Sequence, residues 1–155
     1  MSRSAYFTRC LAGLALVVIS GCAATVPLTS DSLDFKGKSF TPPFDKANLY
    51  IIRGGSLLAR GILFQVIVDG KVQGAIAQGT YFLLPISPGN HTVSVTSEES
   101  ADSMTFTATA GNNFFIKIKS QAGWLSSSVS VEKLEEEEGR SLVVESKRAQ
   151  HFTTD

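Results

Sequence analysis

Few residues in this chain could do chemistry. Its 155 residues hold two cysteines, Cys10 and Cys22, and two histidines, His91 and His151. The thiol with a telling setting is Cys22, which closes the run Leu16-Val17-Val18-Ile19-Ser20-Gly21-Cys22. Small residues at 20 and 21 suit an extended chain in a peptidase cleft, and a thiolate is a nucleophile that can be alkylated. Upstream, Arg3 and Arg9 with no acid make a positive segment, followed by an apolar run of about 11 residues. That is the length of a signal h-region, and about half of the roughly 20 apolar residues a spanning helix needs.

Ile19-Ser20-Gly21-Cys22 resembles the lipobox of bacterial lipoproteins. The resemblance implies a diacylglyceryl group on Cys22, cleavage just before it, and acylation of the new amine. Residues 1–21 are then a signal peptide. Ala23, where an Asp would favour the inner membrane, implies the periplasmic face of a Gram-negative outer membrane. Two acyl chains already anchor stably, each buried CH₂ being worth about 0.8 kcal/mol. A plain signal peptide with a coincidental Cys, or a retained anchor, are the competing readings.

The rest of the chain offers little else. Without residues 1–21, Lys plus Arg falls from 14 to 12 against 14 Asp plus Glu, a net charge of −2. That excludes the basic footprint of a nucleic-acid binder. With Cys10 removed and Cys22 acylated, no thiol is left for a disulfide or a metal. A hydrolase needs Ser, His and carboxylate in mutual reach, and no Gly-x-Ser-x-Gly occurs. His91 follows Pro88-Gly89 at a strand start, with the parity of Val93 and Val95, and is expected to bond the turn and pack the rim. Two distant His cannot close a zinc site. Gly37-Lys38-Ser39 ends like a phosphate loop, but Ser32 stands where its first glycine belongs. Consecutive acids at Glu135 to Glu138 diverge around a helix and do not converge on an ion. No catalytic residue, cofactor or metal site is expected, and the chain is read as not an enzyme. Arg53, Arg60, Tyr50 and Tyr81 are the best candidates for surface recognition, since Arg and Tyr are common hot spots, but ordinary sandwich packing is the preferred account of them and none is assigned to a site.

Stepping from residues to elements, segment 22–45 reads as a lipidated Cys and a tether broken by Pro27, Pro42 and Pro43. As a flexible coil it would span about 25 Å. Phe35, Phe40 and Phe44 are expected to pack on the rim of the domain, which occupies 46–155. There the pattern turns to period two. Strands are expected near 48–53, 62–68, 71–77, 80–84, 90–96, 104–108, 114–119 and 124–133, with Asp69-Gly70 as a hairpin turn. Val72 and Ile76 are placed on the third of these. About eight short strands at this spacing predict an all-β fold, a small antiparallel β-sandwich of Greek-key type. In the tail, acids at 135–138 and Lys147-Arg148 suit the two ends of a helix dipole, although Leu142-Val143-Val144 also suits a strand. A short C-terminal helix is the preferred reading.

Lys46-Ala47-Asn48-Leu49-Tyr50-Ile51-Ile52-Arg53, Val68-Asp69-Gly70-Lys71, Gly79-Thr80-Tyr81-Phe82, Pro88-Gly89-Asn90-His91-Thr92-Val93 and the turn and strand from Gly111 to Ile116 together resemble the DUF2846 family. Its members are commonly lipoproteins. The resemblance implies a small sandwich like carboxypeptidase-regulatory and PEGA-type modules and brings no catalytic residues. The expected protein is therefore a lipid-anchored envelope lipoprotein, a non-enzymatic structural or interaction module with a protein or polymer partner. The alternative is a ligand-binding module for a glycan, a peptidoglycan fragment or a lipid, with its pocket among loops 54–60, 78–80 and 98–102.

Overall fold

The computed structural model describes residues 25–55, 61–122 and 127–152. Cys22, Arg60 and Trp124 lie outside them. The strands are β1 Ala47–Arg53, β2 Phe64–Val68, β3 Lys71–Ile76, β4 Thr80–Ile86, β5 Gly89–Thr96, β6 Ala101–Ala108, β7 Asn113–Ala122, β8 Ser127–Leu134 and β9 Lys147–Arg148. The helices are α1 Asp31–Gly37 and α2 Glu136–Glu145. One sheet has the order β8-β7-β1-β4-β9 and the other β3-β2-β5-β6.

Period-two alternation builds the space between the sheets. Leu49 and Ile51 of β1, Phe82 and Leu84 of β4, and Ile116 and Ile118 of β7 face Phe64, Val66, Val93 and Val95 of the second sheet. Each large side chain fully buried here is worth about 1.5–3 kcal/mol. Asp69 (φ 51°) and Gly70 (φ 76°) make the expected tight turn between β2 and β3. The all-β sandwich with a short C-terminal helix is thus the observed fold, with one refinement. The five-stranded sheet is mixed: β1 pairs parallel with β7, and β4 parallel with β9. Both late strands return to this sheet after the chain has crossed over, which is what parallel pairing requires.

β1 is buried on both faces. Its second face, with Tyr50 and Ile52, joins Tyr81, Leu83, Phe115, Leu134 and Val143 in a second apolar cluster. The two helices cover that cluster, so the molecule has three layers rather than two. Gly139 is what lets α2 lie so close. A Cβ there would sit 2.2 to 2.6 Å from atoms of Phe115.

Several expectations are corrected. Segment 22–45 is not a free tether over its described part. Val26 packs against the inter-sheet cluster, Leu28 bridges Ala149, and α1 docks on the outer face. Of its three phenylalanines only Phe40 packs, with its ring 5.4 Å from Tyr50, whereas Phe35 is 81% and Phe44 100% exposed. Val72 lies on β3 as expected, and its 39% exposure follows from the one-residue shift of the ladder beside Val66 and Ile67, which turns its side chain outward. Lys147-Arg148 does not end the helix. α2 stops at Glu145, and the basic pair forms β9 on the edge of the sheet.

Candidate functional site

The richest polar constellation lies under α1. Ser30 caps the helix, its Oγ accepting from the Leu33 amide at 3.4 Å, and the short helix then turns Asp34 inward. Asp34 Oδ1 accepts from the Tyr81 hydroxyl at 2.9 Å and from the Arg148 amide at 3.0 Å. Its Oδ2 accepts from Lys38 Nζ at 2.9 Å, and Lys38 also donates to the Ser146 carbonyl at 2.7 Å. Tyr50 completes the knot by donating to the Gly37 carbonyl at 2.8 Å.

Electrostatics tell what this knot can do. Burial alone would raise the Asp34 carboxyl, but the bonds from Lys38, Tyr81 and the Arg148 backbone outweigh it and hold it below the usual carboxylate range. Burial and the neighbouring Asp34 push the Tyr81 phenol far above its ordinary value. Burial raises Tyr50 to about 12. A carboxylate made less basic and two phenols made less acidic are poor proton movers near neutral pH. The arrangement instead fastens α1 to β1, β4 and β9. Tyr50 and Tyr81 are packed inside, as the preferred reading of them has it, and are fully buried because their parity places them beneath the helices.

His91 behaves as its setting predicts. Its Nδ1 lies 2.6 Å from Asp69 Oδ2 and its Nε2 2.7 Å from the Ser87 carbonyl. Asp69 Oδ1 also accepts from the Thr92 amide at 2.8 Å. Both partners of the ring are acceptors, so the geometry favours the imidazolium with two N–H donors. Partial burial would lower its pKa, but Asp69 and Ser87 prevail and raise it. With both nitrogens engaged, His91 holds the β2–β3 turn against β5.

Arg53 is likewise packed inside. It is 3% exposed, at the end of the face that carries Leu49 and Ile51. Its guanidinium lies 4.1 Å above the Phe64 ring and donates to the carbonyls of Ile62 and Ile76, the latter at 3.2 Å. Burial lowers its pKa to about 10. Beside it a cleft of about 420 Å³ is lined by Gly54, Gln78, Gly79, Lys117 and Leu142, among others. The cleft thus joins two of the three loops expected to form a pocket. The third does other work: Ser100 Oγ and Asp102 Oδ2 accept from the Val129 and Val131 amides of β8 at 2.9 and 2.8 Å. Those bonds cover an edge strand that would otherwise present open amides. Residues 56–60 of the first loop lie outside the described residues.

Among the described residues, no group of three or more His, Cys, Asp or Glu is placed to hold a metal ion, and no helix is long and apolar enough to cross a membrane. The acids of 135–138 lie at the start of α2, where Glu136 pairs with Arg140 at 2.5 Å and Glu138 with Lys117 at 3.1 Å. Asp34 and Arg148 were not legible as partners. The one local signal was Ser30-Asp31, a helix-starting pair inside a segment too short for periodicity.

Two comparisons bear on what the chain is. The family model described as "Protein of unknown function (DUF2846)" matches residues 43–134. An uncharacterized protein of Haemophilus influenzae is 32% identical over 133 residues, covering 84% of this chain and 77% of that protein. The family match spans β1 to β8, the whole sandwich apart from β9, and stops short of α2. On the residues that build both sheets, the chain belongs to the DUF2846 family.

Proposed function

We propose that this protein is a lipid-anchored module of the Gram-negative cell envelope, acylated at Cys22 and held on the periplasmic face of the outer membrane. Its sandwich acts as a non-enzymatic structural or interaction module toward an envelope protein or polymer. The observation that carries this reading is Ile19-Ser20-Gly21-Cys22 at the end of a charged, then apolar segment of signal length. The way the polar groups are spent supports the second half. Asp34, Tyr81, Tyr50 and His91 are all engaged in fastening elements together. Cys22→Ser is expected to leave the precursor unprocessed and to abolish incorporation of labelled palmitate. Incorporation that survives the change overturns the anchored reading, and saturable turnover lost in His91→Ala overturns the non-enzymatic one.

The cleft beside Arg53 favours a second reading, a binding module for a glycan or peptidoglycan fragment. Lys117 and Lys119 line it together with Gly54 and Gln78. Co-sedimentation with purified peptidoglycan tests it, and a protein that stays wholly in the supernatant removes that version.

A further inference from the structure

We propose that the edge of the domain bearing Leu28, Leu33 and Phe152 is a membrane-apposed face, seated in the headgroup region of the bilayer that holds Cys22. The proposal rests on the lipid-anchored reading above and adds to it a defined contact surface.

Chain length is the first argument. Val26 already packs against the cluster between the sheets. Only Ala23, Ala24 and Thr25 separate it from Cys22. A fully extended chain advances at most about 3.6 Å per residue, so Cys22 and Val26 are at most about 14 Å apart. The polar zone of one leaflet is itself about 5–8 Å deep. Much of the reach is therefore spent before the chain leaves the headgroups. The domain cannot swing clear by peeling either, because Pro27 and Thr29 are bonded to Gln150 and Arg148, both at 2.9 Å.

What that edge presents is the second argument. Leu28 is 46% exposed, Leu33 47% and Phe152 65%. All three border the same tail. Leu28 bridges Ala149, the Leu33 carbonyl accepts from Arg148 Nη1 at 3.1 Å, and Phe152 follows two residues after Gln150. Large apolar side chains gathered on a surface mark a place that meets something apolar. Lys36 and Arg148 line the cleft beside Leu33 and offer cations to anionic headgroups, against the exposed Asp31 of the same helix. Apolar groups flanked by cations are the composition of interfacial segments. A protein or a second copy could cover the same residues, but the bilayer is the partner that a 14 Å tether brings there.

The test uses the acylated full chain, processed in cells and reconstituted into vesicles of phosphatidylethanolamine and phosphatidylglycerol. With Cys22 blocked by lipid, one introduced cysteine is the sole thiol for a nitroxide label. Labels are placed at Leu28→Cys and Leu33→Cys, with Ser128→Cys as the reference. Ser128 lies on β8, at the opposite edge of the five-stranded sheet from β9. The expected result is that collision with oxygen, relative to a water-soluble nickel chelate, is several-fold higher at 28 and 33 than at 128. Aqueous values at both positions, with palmitate incorporation intact, overturn this proposal and leave the anchor standing. Protection from both reagents at 28 and 33 overturns it in favour of a second copy. Loss of palmitate incorporation in the otherwise native chain sinks the anchored reading and this one with it.

Discussion

Asp34 collects three hydrogen bonds, from β4, from β9 and from its own helix. Hydrogen bonds to a charged group are worth about 1.5–3 kcal/mol, so Asp34→Asn is expected to lose about that much in urea unfolding. Because the folded carboxyl titrates below its unfolded value, its contribution is present above about pH 4 and is lost as pH falls through the folded pKa. The acid limb of the stability curve should flatten in the variant. His91 has the opposite sign. Its pKa is raised, so the stabilisation is full below about pH 6.5 and disappears as pH rises through the folded value. The wild type should lose about 0.2–1 kcal/mol over that rise, and His91→Gln should lose none, by thermal unfolding at a series of pH values. His91 was legible because its partners sit in neighbouring turns that Asp69-Gly70 and Pro88-Gly89 announce. Asp34 was not, because its partners are 47 and 114 residues away. Arg53 was legible in principle, since strand parity sets it on the face of Leu49 and Ile51. Its residue type suggested the surface, its position suggested packing, and position prevailed.

At the scale of elements, strands were readable because alternation with turn residues is a local signal, and all eight expected strands are present. α1 was not readable. Seven residues make about two turns, too few for a periodic face. It is helical because Ser30 caps it and Asp34 pins it. α2 shows the reverse case, a glycine that local rules count against the helix and that packing requires. Gly139→Ala should gain about 1 kcal/mol of helix propensity. Its methyl would overlap the Phe115 ring, and overpacking typically costs about 1–3 kcal/mol. A net loss of stability is expected in chemical denaturation, relieved when Phe115→Leu is combined with it. A gain in the single variant would mean that α2 does not press on β7 as described.

For the whole molecule, the sandwich was legible and its third layer was not. The sheets follow from period-two patterning, whereas the helical cover depends on which outer faces are apolar once strand order is known. Tyr50, Tyr81 and Phe115 look like alternating outward positions until α1 and α2 are placed over them. The tail binds this layer to the rest. Residues 147–152 bond β4 through Tyr81, β3 through Gln73, and the N-terminal segment through Pro27 and Thr29. A chain stopped after Ser146 is expected to keep its inter-sheet cluster but to release 25–40. Limited proteolysis should then cut in that segment while the intact chain resists.

That tail also sets a timetable. Residues 147–152 are synthesised after every strand and helix that they join, so α1 has no finished seat while the chain is still growing. The start of the molecule must wait for the arrival of a stretch more than a hundred residues downstream, with Leu28 meeting Ala149. A polypeptide that is threaded through a translocation channel benefits from such a delay. On the lipid-anchored reading proposed above, the region next to Cys22 would stay accessible to processing enzymes while the rest emerges, and the fold would close over the described part of that segment only afterwards.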